Sequence, residues 1–193
     1  MIMSIWSLPT RLLWRVKWNI KKKKLKNCGI DSYMGNKFNI ISPQYISIGN
    51  HTHFGKECQV CAYDSYLGLK HKPTPKIMIG NNVTVTDHCY ISCMNRVTIG
   101  NGCLLGVNTF ITDNFHGNVS LEESTIPPNQ RKLFSKGAVF IGDNVWVGRN
   151  VCIMPNVKVG NGVVIGANAV VTHDIPDNCV VGGIPAKIIK MLD

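Results

Sequence analysis

The chain has 193 residues, enough for one domain or one solenoid with terminal caps, and 45% of them are hydrophobic, so it can bury a core. Its formal charge of +10 is uneven: Arg11, Arg15, Lys17, Lys21, Lys22, Lys23, Lys24 and Lys26 all precede the first acid, Asp31, and the remaining 13 basic and 11 acidic residues leave only +2. The basic character therefore belongs to a tail, and the pI of about 9.3 gives no support to nucleic-acid binding by the body.

Residues 1–45 form a basic amphipathic segment and lead-in. Trp6, Leu8, Leu12, Leu13, Trp14, Val16, Trp18 and Ile20 alternate with the positive charges. Pro9, Arg11, Arg15 and Lys17 interrupt the apolar run, so it is not a spanning helix of ~20 apolar residues. A secretory signal would place its charges before the apolar run and end in small residues, which is the reverse of this order. Two readings stay open: a helix capping the end of the next element, or a peripheral anchor on an anionic membrane through residues 1–26.

From residue 46 to 182 the sequence has a period of six. IGNHTH (48–53) and FGKECQ (54–59) open it; IGNNVT (79–84), VTDHCY (85–90) and ISCMNR (91–96) resume it. IGNGCL (99–104), LGVNTF (105–110) and ITDNFH (111–116) follow, and IGDNVW (141–146) begins an unbroken run through Val171. Helices and ordinary sheets have side-chain periods of 3.6 and 2. A period of six suits a parallel β-helix, in which each hexad makes one flat face and three close a triangular coil around a column of aliphatics. Two stretches carry no hexad: residues 61–76, with Pro73 and Pro75, and residues 117–136, with Pro127 and Pro128. Both are expected to be excursion loops, and long loops on a regular solenoid tend to be functional. Residues 183–193 remain as a C-terminal tail.

Eight cysteines would imply a disulfide framework in an exported chain. With no export signal visible, a reduced cytoplasmic protein is expected. Cys58, Cys89 and Cys103 each fall four residues after a lead aliphatic, where a small apolar side chain fits. Neither Cys58-x-x-Cys61 nor Cys89-x3-Cys93 has a matching second half, so no metal is expected.

The segment IGDNVWVGRNVCIMPNVKVGNGVVIGANAVVTHDIPDNCVVGGIPAKIIK, together with ITDNFHG before it, resembles the hexapeptide-repeat acetyltransferases. The nearest group is the sugar O-acetyltransferases of the maltose, galactoside and colanic-acid types. The resemblance spans roughly residues 77–190. It implies a left-handed β-helix assembled as a homotrimer, with acetyl-CoA in a groove between subunits and the acceptor sugar beneath an excursion loop. By this resemblance His116 is the general base. A sugar hydroxyl attacks a thioester only as its proton is removed. An imidazole, with an ordinary pKa near 6.5, can accept that proton at neutral pH and return it to the leaving thiolate.

Asp87, Asp113 and Asn114 neighbour the resembling segments and are the candidate acceptor contacts. An asparagine that holds the substrate in the maltose-type enzymes is replaced here, within Thr86–His88, by other residues, so its role does not transfer. Glu122 and Glu123 are both placed to orient an imidazole. On the cofactor side, Trp146 matches the family's pantetheine-side tryptophan, and Gly106, Gly148 and Ala167 match positions where small residues admit the pantetheine arm. Thr172 and His173 fall where the family has Thr-Lys, and Lys187 and Lys190 match basic positions near the nucleotide phosphates. The implied function is acetyl transfer to a sugar hydroxyl in surface-polysaccharide or glycan biosynthesis. The alternatives are N-acetylation of a nucleotide-linked amino sugar, a non-catalytic trimeric scaffold, and a zinc carbonic anhydrase-like protein.

Overall fold

The computed structural model describes residues 8–118 and 120–193 and shows a left-handed parallel β-helix of triangular section. Met1–Ser7, the start of the basic segment, and Val119 lie outside the described residues. The three faces are sheets of six, eight and six strands. The lead aliphatics stack in register: on the first face Ile48, Ile79, Ile99, Ile141 and Val159 are successive partners. Phe54, Val85, Leu105, Val147, Ile165 and Val181 do the same on the second face, and Val60, Ile91, Ile111, Ile153 and Val171 on the third. All are buried, each contributing about 1.5–3 kcal/mol of hydrophobic stabilisation.

The edges explain the rest of the hexad. Its fourth residue takes the left-handed backbone conformation, at His51, Asn82, Gly102, Asn144, Gly162 and Asn178 on the edge between first and second faces. Asparagine and glycine tolerate that conformation best. The second residue must be small: a Cβ on Gly80 would lie 2.7 Å from the Gly100 carbonyl of the next coil. The third is Asn or Asp because its side chain accepts the preceding coil's backbone N–H. Asn81, Asn101, Asp143, Asn161 and Asp177 form such a ladder, with N···O distances of 2.6–2.9 Å.

The solenoid starts a full coil earlier than the hexads suggest. Asn27–Cys28, Tyr33–Met34 and Asn39–Ile41 pair in parallel with the first strands of each face, so residues 27–45 are coil rather than lead-in. Helix α1 (Leu8–Lys22) lies across this open end. The Trp14 and Trp18 indoles donate to the carbonyls of Met34 (2.7 Å) and Ser32 (3.2 Å), and the Trp18 ring stands edge-on to Phe38. The capping expectation therefore holds for the described part of the tail. At the other end Lys187–Met191 turns back antiparallel on Cys179–Gly182 and closes the second face.

Both excursions leave from one edge, between the third and first faces. The first folds into a short hairpin, Ser65–Tyr66 against Leu69–Lys70. The second has a neck in which Phe115–His116 pairs antiparallel with Leu133–Phe134.

Candidate active site

His116 sits in the neck of the long excursion with its side chain exposed. Its ring meets Tyr66 of the first excursion edge-on, at 5.3 Å between centroids. The Tyr66 hydroxyl donates to the Asn129 carbonyl oxygen (3.0 Å), which ties the two excursions together around the imidazole. Tyr66 carries no sequence signal, because it lies in a different loop with no hexad to index it. Of the two loop acids, Glu122 is turned to solvent, where the Ser120 hydroxyl holds its carboxyl below the usual range. Glu123 Oε2 is buried with no hydrogen-bond partner among the described residues, packed where a Cβ on Gly117 would strike it. Glu123 is thus the acid set against the backbone beside His116.

Asp113 has partners within the chain. Its side chain is fully buried and its carboxylate accepts the backbone N–H groups of Met94 (2.7 Å), Asn95 (2.8 Å) and Arg96 (2.7 Å), and the Asn114 amide (2.9 Å). Asp113 fastens the turn of the preceding coil and has no face left for an acceptor. Asn114, half-buried, also donates to Ser92 Oγ at 3.0 Å, so its amide is largely committed to the same turn. Beside this turn lies a cleft of about 450 Å³ lined by Lys26, Gln44, Tyr45, Lys76, Asn95 and Arg96, a cationic recess on the same edge as His116.

Thr172 and His173 are exposed on this edge too, two coils further along, and bond each other (Thr172 Oγ1 to His173 Nδ1, 2.8 Å). Two coils correspond to about 10 Å at the usual strand spacing.

The other predicted residues lie elsewhere on the prism. Asp87, Gly106, Gly148 and Ala167 run along the edge between second and third faces. Asp87 Oδ1 accepts the Lys56 N–H (2.9 Å), and its Oδ2 lies 3.9 Å from Lys56 Nζ. His88 beside it has Nδ1 3.4 Å from Glu57 Oε2. The need for small residues at Gly106 and Gly148 arises within the chain, since a Cβ there would meet the next coil's backbone at 2.6 Å. Trp146 projects from the adjoining second face, 54% exposed, with Leu104 and Val164 as strand neighbours. Lys187 and Lys190 are exposed on that face's last strand. From Gly106 through Gly148 and Gly166 to Gly182 the edge advances three coils, about 14 Å. It is a narrow track of small residues with an aromatic beside it and lysines at its end.

One protomer therefore does not bring the predicted site together. His116 lies on one edge and the track on another, with the whole third face between them.

Residues 138–173 match the family model described as bacterial transferase hexapeptide (six repeats), and residues 96–117 match the hexapeptide repeat of succinyl-transferase. The chain is 40% identical over 154 residues to the putative lipopolysaccharide biosynthesis O-acetyl transferase WbbJ of Escherichia coli, covering 77% of this chain and 76% of the relative. It is 31% identical over 130 residues to the galactoside O-acetyltransferase of the same organism, covering 60% and 64%. Among solved structures it resembles AntD, an N-acyltransferase from Bacillus cereus in complex with dTDP and coenzyme A, with a TM-score of 0.74, 20% identity, and coverage of 100% and 92%; this likeness concerns the fold alone. The chain belongs to the hexapeptide-repeat acetyltransferases. It is an acetyltransferase related to the sugar-modifying members of that family.

Proposed function

We propose that this protein moves the acetyl group of acetyl-CoA to a sugar hydroxyl during assembly of a surface polysaccharide or glycan, at sites between the protomers of a homotrimer. The observation that carries this reading is the division of the predicted residues between two edges. In a closed ring the His116 edge of one protomer faces the glycine edge of the next, and each contact completes one site. Three subunits then hold three sites.

The small-residue track suits an extended pantetheine arm. Trp146 offers it an apolar wall, and Lys187 and Lys190 offer point charges to the nucleotide phosphates. The acetyl thioester supplies an activated acyl carbon. His116 takes the proton from the acceptor hydroxyl as its oxygen bonds to that carbon, and returns it to the departing CoA sulfur as the C–S bond breaks. The Tyr66 ring holds the imidazole in place, and Glu123 packs against the strand that carries it. Asp87 on the neighbouring edge is left as an acceptor contact, with Thr172 and His173 further along the His116 edge.

A second reading has one specific observation in its favour. The recess bearing Lys26, Lys76 and Arg96 suits a phosphate-bearing acceptor, as N-acetylation of a nucleotide-linked amino sugar would require. AntD, described with dTDP and coenzyme A, has that kind of ligand pair.

CoA release measured against free sugars, nucleotide-linked amino sugars and lipid-linked oligosaccharides separates the two readings. Turnover with a hydroxyl acceptor supports the first and turnover with an amine only supports the second. No CoA release with any acceptor contradicts the activity, and a monomer by light scattering instead of about three times 21.4 kDa contradicts the shared site.

A further inference from the structure

Helix α1 has two apolar faces, and among the described residues only one is packed against the solenoid. Trp14 and Trp18, four residues apart, lie on the solenoid end; Trp18 is only 5% exposed. Turned away from the two tryptophans, Leu13, Val16 and Ile20 are 60%, 48% and 58% exposed, with Ile20 at the rim of a cleft shared with Phe38. Their spacing of three and four places them in one row along the helix. Exposed Arg15 and Lys17 flank that row, and exposed Lys22, Lys23, Lys24 and Lys26 follow it. No acid precedes Asp31.

We propose that this outer face docks the protein on an anionic membrane surface while the inner face caps the solenoid. Capping and anchoring are then two sides of one helix rather than alternatives. The chemistry of the face selects the occupant. A second copy of the chain would press one cluster of cations against another with no acid to offset it. Nucleic acid would engage the cations but leave the Leu13–Val16–Ile20 row in water. A bilayer with anionic headgroups takes both: the aliphatic side chains enter the headgroup–acyl boundary, and the lysines reach the lipid phosphates. No described helix is long and apolar enough to cross a membrane, so the contact is one of surface docking. If the chain is a trimer with its solenoids side by side, three such helices share one end, and their contacts add through effective concentration.

The inference does not depend on acetyl transfer, and its test needs no substrate. Full-length protein is co-sedimented with phosphatidylcholine vesicles, with and without phosphatidylglycerol, at low and high salt. Two variants are compared: Leu13→Gln/Val16→Gln/Ile20→Gln, which leaves the capping tryptophans untouched, and Lys22→Gln/Lys23→Gln/Lys24→Gln. The wild type is expected to bind only the phosphatidylglycerol vesicles and to release at high salt. Each lysine removed should weaken partition about fivefold. The apolar variant should lose binding at least tenfold while keeping the wild-type melting temperature and oligomeric mass, which shows the cap intact. Absence of wild-type binding overturns the proposal, as does unchanged binding by the apolar variant, which would mean that cations act alone. A drop in oligomeric mass in the apolar variant also overturns it, since the row would then be covered by a second copy.

Discussion

The His116 imidazole stands edge-on to the Tyr66 ring, centroids 5.3 Å apart and planes at 68°, although the two residues belong to different excursions of the chain. The Tyr66 hydroxyl continues the link into the long loop through the Asn129 carbonyl oxygen. Tyr66 thus fixes a ring whose strand is otherwise held by a two-residue ladder with Leu133–Phe134. A base that acts by proton transfer in a narrow geometry depends on such support.

Tyr66→Ala should therefore lower kcat about tenfold with little change in the KM for acetyl-CoA. Tyr66→Phe keeps the ring contact and loses only the hydroxyl's bond to Asn129, so its kcat should stay much closer to wild type. Steady-state CoA release measures both. Wild-type kcat in Tyr66→Ala would remove Tyr66 from the positioning role.

Asp113→Ala should act on stability rather than on acceptor binding. It orphans three backbone N–H groups that now donate to a fully buried carboxylate. The expected cost is about 3 kcal/mol, read as a lower midpoint in denaturant titration. An unchanged midpoint with a raised acceptor KM would instead return Asp113 to the binding role expected from its sequence neighbourhood.

The thiols offer a check on the core. Burial pushes the Cys61, Cys93 and Cys103 thiols up, and Asp113 adds to the effect at Cys93. A raised pKa leaves less thiolate at a given pH, and the thiolate is the reactive form. Only Cys28 and Cys152 are short of full burial. At pH 8, native protein should show at most these two cysteines reacting promptly with a disulfide reagent, and all eight after unfolding. Rapid reaction of more than two in the native state would contradict the packing of the column.

The fold was legible because period six leaves a trace in every coil: lead aliphatic, small residue, Asn or Asp. The first coil is harder to read because Cys28 and Met34 stand in two of its lead positions and no Ile-Gly-Asn marks them. The excursions could be read from missing hexads and from prolines. Their contact with each other could not, since pairing between Tyr66 and the long loop follows no period. The setting of Asp113 is hidden for a related reason. Nearness to His116 in sequence suggests a shared site, but the Asp113 carboxylate is buried against the backbone N–H groups of the turn 94–96. The division of the site between edges was equally hidden, because residues a few hexads apart land on different faces according to their place in an eighteen-residue coil.

The most direct test of the account is the turnover of His116→Ala, assayed by CoA release with a working acceptor alongside a separate measurement of acetyl-CoA affinity. The account predicts a fall in kcat of roughly 10²–10⁴-fold with acetyl-CoA affinity nearly unchanged, because the imidazole acts on the acceptor's proton and the CoA track belongs to another edge. Turnover close to wild type would contradict it, and would move the search for the base to His88.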